Sequence, residues 1–369
     1  MSSLVQVVQL AQLQDYGIAS DQITFPRVTL SSDSRLCVRH NTHDPSKARA
    51  TLVNPRQPSS VCSWPINDAE SALMSPDSPL LALRVGKVAE VYNVEEKVRH
   101  SQYEFSKQVD FWAWINGKML AVVTEADVYH WNMRGSKPRH VFARDPQLQG
   151  MEIVGYHHDA SKLWLALSGL ALNQKGHIVG MTQLYSRSGQ LGQVIQAQAV
   201  ALPQYTFSRN LHPSSVLVAA VRSRAKEMSG QLHVVELGPH KAGNTALCNS
   251  RGSLPFNSCQ PGDFPSAVQI SSHLGLVLVL TKHGFLFLSD IETAQLVQSV
   301  QVTKDIVFAT VPASREQGIV GVCRNGKVLS ISVCEKMLYQ FLVCRTMSLY
   351  VTQRLLQVVW KPSYKVTSV

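Results

Sequence analysis

Charged residues make up only 16% of this 369-residue chain, and its basic residues never gather into a run of five or more. The first scarcity argues against disorder, which needs high charge and low hydrophobicity. The second argues against a dedicated nucleic-acid tail. No apolar segment approaches the ~20 residues that a membrane helix requires. Residues 1–14 lack a basic start followed by a long apolar stretch, so no secretory signal is read there. The seven cysteines (Cys37, Cys62, Cys248, Cys259, Cys323, Cys334 and Cys344) form no C-x-x-C pair, and their number is odd. Free thiols in a reducing compartment follow, several of them acting as small apolar fillers inside strands. A soluble, cytoplasmic protein is expected.

Catalytic signatures are missing as well. There is no G-x-S-x-G elbow, no P-loop, no G-x-G-x-x-G after a strand and no H-E-x-x-H. Ser161-Lys162 and Ser188-Gly189 are lone pairs that suit surface turns. His157-His158-Asp159 has the chemistry for a metal site or a base–carboxylate pair. It stands just before Trp164, however, where a hairpin needs polar turn residues, and the turn reading is favoured. Trp112 and Trp114 point to one face of a strand by alternation, which suits core packing better than base stacking. No catalytic residue, metal ligand or cofactor is assigned.

What is present is a repeat. An apolar run, a polar or glycine-bearing turn and a second apolar run recur seven times, the first runs beginning at Leu36, Leu80, Leu120, Trp164, Val216, Leu276 and Ile319. Asn325-Gly326 and His283-Gly284 sit where tight hairpins need residues that tolerate positive φ. A spacing near forty residues with several strands per unit predicts an all-β fold, a seven-bladed β-propeller with one four-stranded blade per repeat. With 45% apolar residues the chain can bury a large core, and the repeat favours one ring over separate domains.

Residues 1–333 are assigned to the propeller. The lead-in to Gly17 is expected to supply an edge strand or pack against the closing blade. Irregular insertions are read at Lys226–Gly230 and Gly238–Pro265, the second as an exposed loop because it holds four glycines and four prolines. Residues 334–369 are read as a short helical linker or divergent tail. Within it, Glu335 to Leu355 predicts one amphipathic helix, stopped by Pro362. The net charge of +10 gives a long-range preference for acidic partners.

Inter-blade clefts can hold an extended peptide with alternate side chains in pockets. In Leu81–Arg99, alternation sends Val88, Glu90 and Tyr92 to one face and Ala89, Val91 and Asn93 to the other. Lys97 and Arg99 place two cations on the following strand. Pattern alone favours an ordinary hairpin with a charged edge.

Several blocks carry a resemblance: Phe111-Trp112-Ala113-Trp114-Ile115, Val128-Tyr129-His130-Trp131-Asn132-Met133, Met181-Thr182-Gln183-Leu184-Tyr185-Ser186, Asp263-Phe264-Pro265 and Gly326-Lys327-Val328-Leu329-Ser330. In order, and over roughly residues 4–333, they resemble the amino-terminal domain of the clathrin heavy chain, in divergent form. The resemblance implies a non-enzymatic propeller that binds short linear motifs of adaptor and accessory endocytic proteins. Its setting is the cytoplasmic face of coated pits and vesicles, with the membrane reached only through adaptors.

It also implies sites. For a clathrin-box groove between the first two blades, Leu81, Tyr92, Lys97 and Arg99 match in kind. Val88 stands where threonine is usual, Glu90 where glutamine is usual, and Trp64 in place of an arginine. Glu90 and Trp64 together shift the groove by two charge units, which predicts weak or altered recognition of acidic motifs. A W-box site maps onto Phe25, Glu152 and Val154, with Glu152 replacing a glutamine. An arrestin-type groove between the fourth and fifth blades would use Trp164 and Leu184. A further site near the amino terminus has Gln9 where the family has glutamate. The family's helical leg does not continue here, so light-chain and trimer contacts and lattice assembly are not expected of this chain alone. The rival readings are a WD40-like scaffold that holds a protein complex or nucleic acid, and a propeller enzyme with a site in its channel.

Overall fold

A computed structural model describes residues 4–41, 48–66, 69–135, 137–189, 191–222, 229–245, 247–256, 259–313, 315–344 and 349–359. Among them the strands form seven antiparallel sheets, arranged as the seven blades of a propeller. Blade 1 is built from Val28–Ser32, Arg35–Asn41, Ala48–Val53 and Val61–Pro65, and blade 2 from Ser71–Met74, Leu80–Val85, Val88–Asn93 and Val98–Glu104. Blade 3 spans Val109 to Ala143, blade 4 Glu152 to Gln196, blade 5 Ala199 to Pro255 and blade 6 Pro265 to Gln301.

Blade 7 takes three strands from Val307 to Val333 and its outermost one, Val5–Gln12, from the start of the chain. That strand pairs antiparallel with Lys327–Val333, from Val5 opposite Val333 to Gln12 opposite Lys327. The expected edge strand is therefore the clasp of the ring, which ties residues more than 300 positions apart. Gly326 (φ 87°) and Gly284 (φ 76°) occupy left-handed turn positions, as their hairpins require.

The first apolar run of all seven repeats falls on the second strand of a blade. The reason is burial on both faces. In blade 6, Leu276, Leu278 and Leu280 pack toward blade 7, while Val277 and Val279 pack toward blade 5. A strand covered on both sides reads as a continuous apolar run rather than an alternating one. Each fully buried Leu or Val of these seams contributes about 1.5–3 kcal/mol of transfer free energy. Trp112 and Trp114 sit in the seam between blades 2 and 3. Their indole N–H groups donate to Ser71 Oγ (2.9 Å) and the Leu73 carbonyl (3.2 Å) of blade 2.

Three expectations are corrected. Gly238–Pro265 is not simply a loop, for it contains Asn249–Pro255, the outermost strand of blade 5. Gly252 lies so close to blade 6 that a Cβ there would meet the Ala294 carbonyl oxygen at 1.8 Å. Of the first insertion, residues 226–228 lie outside the described residues, while Ser229 and Gly230 already belong to the strand Ser229–Leu237. The C-terminal segment is two helices, Glu335–Cys344 and Leu349–Val359, instead of one. Residues 345–348 and Pro362 lie outside the described residues. Leu338, Val351 and Leu355 are buried with Leu274 and Leu276 of blade 6.

Candidate functional site

The seam between blades 1 and 2 sets an aromatic pair over a buried apolar cluster. Its floor is apolar and closed: Cys37, Ala50, Leu52, Ile66, Ala72 and Leu81 are buried there, with Trp64, Tyr92 and Val94 packed over them in part. Leu81 is fully buried opposite Tyr92, so it supports the cleft rather than facing a ligand. Trp64 stands on the outermost strand of blade 1, and Val88, Glu90 and Tyr92 share one face of the third strand of blade 2. The Trp64 and Tyr92 rings face each other across the seam, centroids 6.3 Å apart and tilted by 47°. Tilted ring pairs at this separation are favourable beyond the area they bury.

The polar groups of this cleft are partnered among themselves. Glu90 Oε1 accepts from the Arg99 guanidinium at 3.0 Å, and Glu90 Oε2 accepts from the Tyr92 hydroxyl at 2.9 Å. Burial, then the hydrogen bond to Glu90 and its charge, push the Tyr92 phenol pKa up; Arg99 partly opposes this. The pair is half-exposed, with 28% of the Glu90 side chain and 53% of that of Arg99 accessible. It is therefore a positioning contact more than a source of stability. Lys97 does not lie on the strand with Arg99, as alternation had suggested. It sits in the preceding turn at φ 58°, exposed and without an ion pair among the described residues.

The other expected sites are arranged differently. Phe25 is 42% exposed, in the loop that enters the first strand of blade 1. Glu152 opens the first strand of blade 4, and half-buried Val154 follows at a register shift between Ile153 and Gly155. These three residues are thus distributed over blades 1 and 4. Between blades 4 and 5, Trp164 and Leu184 do come together in one apolar cluster with Leu202, Leu217 and Leu237. The Trp164 indole N–H donates to the Gly238 carbonyl at 2.6 Å, which ties the seam shut at that end. Gln9 lies exposed on the clasp strand and bonds to Gln12.

His157 and His158 end the first strand of blade 4, and Asp159 opens the turn to Trp164. Asp159 accepts from Ser161, from the Trp164 N–H (2.9 Å) and from Ser215 of blade 5 (2.7 Å). Burial raises its carboxyl pKa, but these donors together hold it below the ordinary aspartate value. A depression between blades 2 and 3, lined by Asp77, Asn116, Lys118 and Arg134, escaped the sequence reading, since only the turns bring these residues together.

Fold and seam together define a propeller scaffold with an aromatic pair set over one of its inter-blade seams. No family model matches the chain. It is 34% identical to the human protein named clathrin heavy chain 2 over 325 residues, 88% of this chain and 19% of that protein. It is 32% identical to the clathrin heavy chain of Drosophila melanogaster over 90% of its length, and 33% identical to clathrin heavy chain 1 of Arabidopsis thaliana, also over 90%. The chain spans about a fifth of the length of these curated relatives. Among solved structures it resembles a chain of the mitotic checkpoint complex (TM-score 0.55, 13% identity, covering 89% of this chain and 91% of that one). It also resembles the Swd1 β-propeller domain of Myceliophteria thermophila (TM-score 0.51, 11% identity, covering 84% and 96%). At such identities these two speak for the fold alone. The chain is a clathrin-type propeller, belonging with the amino-terminal domain of the clathrin heavy chain family. Among the described residues no helix is long and apolar enough to cross a membrane.

Proposed function

We propose that this propeller is a non-enzymatic recognition module of coated-vesicle traffic, which binds short linear motifs of adaptor and accessory proteins in the cleft between blades 1 and 2. On this reading it works at the cytoplasmic face of coated pits and vesicles and meets the membrane only through its adaptors. The observation that carries it is the Trp64–Tyr92 pair, which spans two blades over a closed apolar floor in a chain of this family. An extended peptide gains most from such a place, because it exchanges wet apolar side chains for aromatic walls already held in position. The cleft between blades 4 and 5 and the Phe25–Glu152–Val154 region are secondary candidates on the same reading.

The test is a titration of the purified protein with apolar adaptor-type peptides, followed by the NMR signal of the Trp64 indole. Binding is expected to shift that signal, and Trp64→Ala is expected to weaken affinity by about tenfold or more, as for an aromatic anchor. A panel of such peptides that leaves the Trp64 resonance unmoved refutes the assignment of this cleft.

A further inference from the structure

The polar rim of the blade 1–2 cleft suggests which peptides it prefers, an inference that rests on the cleft assignment just proposed. A cleft that selects acidic ligands needs cations free to receive a carboxylate. Here Arg99 already donates to a carboxylate of the same protein, Glu90 Oε1 at 3.0 Å. The other oxygen of that carboxylate holds the Tyr92 hydroxyl at 2.9 Å. A ligand carboxylate that approached Arg99 would have to displace Glu90 or lie beside it, and two carboxylates in one place repel. Lys97, the other nearby cation, stands in a turn directly after Glu95 and Glu96, both exposed like itself. At the blade 1 wall the side chain is an uncharged indole, Trp64.

We infer that Glu90 is the specificity-determining residue of this cleft, and that it selects an extended apolar peptide flanked by a basic residue over the same peptide flanked by an acidic one. The register supports the assignment. Glu90 lies opposite Gln102, a neutral residue, while Arg99 lies opposite Tyr92 because the pairing shifts between Val91 and Tyr92. Arg99 therefore reaches Glu90 diagonally, from the outer strand, and leaves the half-exposed carboxylate beside the two aromatic walls. A basic side chain of the ligand can share that carboxylate with Arg99, whereas an acidic one is left with Lys97, the cation of this hairpin that has no ion pair among the described residues.

The test uses three peptides, identical in their leucine and phenylalanine residues and differing only in one flanking position: lysine, asparagine or aspartate. Affinities are measured by fluorescence anisotropy at low and moderate salt on the wild type and on Glu90→Gln, and the fold of both is checked by circular dichroism. The wild type is expected to bind in the order lysine, asparagine, aspartate, with about a three- to tenfold span that narrows with salt, as for partly exposed pairs. In Glu90→Gln, which frees Arg99, the aspartate peptide is expected to overtake the lysine peptide. Wild type that binds the aspartate peptide as well as or better than the lysine peptide overturns the inference and leaves the cleft assignment standing. So does an unchanged order in Glu90→Gln. If no peptide binds either protein, the cleft assignment itself fails, and the inference with it.

Discussion

Arg354 offers the sharpest test of how the helical tail is attached. It lies on the second helix and is 5% exposed, and Asp290, at the end of the third strand of blade 6, is fully buried. Arg354 Nε donates to Asp290 Oδ2 at 2.8 Å, and Nη2 reaches the same oxygen. Nη2 also donates to the Gly275 carbonyl at 3.0 Å, and Nη1 to the Tyr205 hydroxyl of blade 5 at 3.1 Å. Burial alone would lower the guanidinium pKa, yet Asp290, Tyr205 and Glu292 hold it above its ordinary value. Arg354→Ala removes every donor seen on Asp290 Oδ2 and leaves a buried carboxylate half-partnered. Breaking one side of a buried pair costs about 3–5 kcal/mol. The other oxygen, Oδ1, keeps the N–H groups of Glu292 and Thr293 and the Thr293 hydroxyl, so the lower end of that range applies. The assay is urea unfolding together with amide exchange at Leu338, Val351 and Leu355. A loss of about 3 kcal/mol is expected, either from the whole protein or as early exchange of the two helices. Arg354→Met combined with Asp290→Asn is expected to recover part of it, because no unpaired charge then stays buried. A loss below about 1 kcal/mol with helix protection unchanged would refute the reasoning.

Two further predictions concern acid. Asp159 is held below its ordinary pKa by its donors, so its stabilisation is present above the ordinary aspartate range and is lost as pH falls through the folded value. Asp159→Asn is expected to cost about 1–3 kcal/mol at neutral pH and much less in acid, in denaturant titrations at several pH values. His130, whose Nε2 lies 2.6 Å from the Tyr156 hydroxyl, is lowered to about 4, first by burial and then by Arg187, His158 and Lys162. Between about pH 6.5 and 4 the unfolded chain takes up a proton that the folded one refuses, so stability falls on acidification across that window. The loss is on the order of 3 kcal/mol at most. His130→Phe is expected to be less stable at neutral pH but to show a flatter profile there, and an equally steep profile would count against this account.

The sequence made the ring legible through its second strands, because burial on both faces writes a continuous apolar run into each of them. Outermost strands carry no such mark. Asn249–Pro255 has a single buried apolar residue, Leu254, since a strand at the rim of a blade needs only its backbone pairing and one contact. The helical tail was legible as amphipathic, but not its anchor, because Arg354 and Asp290 are 64 positions apart and neither sits in a recognisable pattern. For the cleft, alternation placed Val88, Glu90 and Tyr92 correctly on one face. It could not show that a shift in pairing beside Tyr92 brings Arg99 to Glu90, so two cations were expected where one is already engaged.

The seams of the ring are built alike, yet they are not equivalent as places for a ligand. Between blades 2 and 3, Phe105, Trp112 and Trp131 are buried and Tyr103 and Tyr129 pack over them, so the protein's own aromatic rings fill the space. Between blades 4 and 5 the Trp164 indole is fixed to the backbone of the neighbouring blade, and a ligand would have to break that bond to enter. Between blades 1 and 2 the two rings meet at 6.3 Å, Trp64 stands on an outermost strand, and among the described residues no hydrogen bond crosses from either ring to the other blade. Of these three seams, the one between blades 1 and 2 has the aromatic walls least committed to the fold, which favours it for the guest peptide proposed above. The ring is clasped at its ends and packed at every seam, so on the proposed function the ordering cost of binding there would fall mainly on the peptide, and the identity of its flanking charge would decide among guests of similar apolar content.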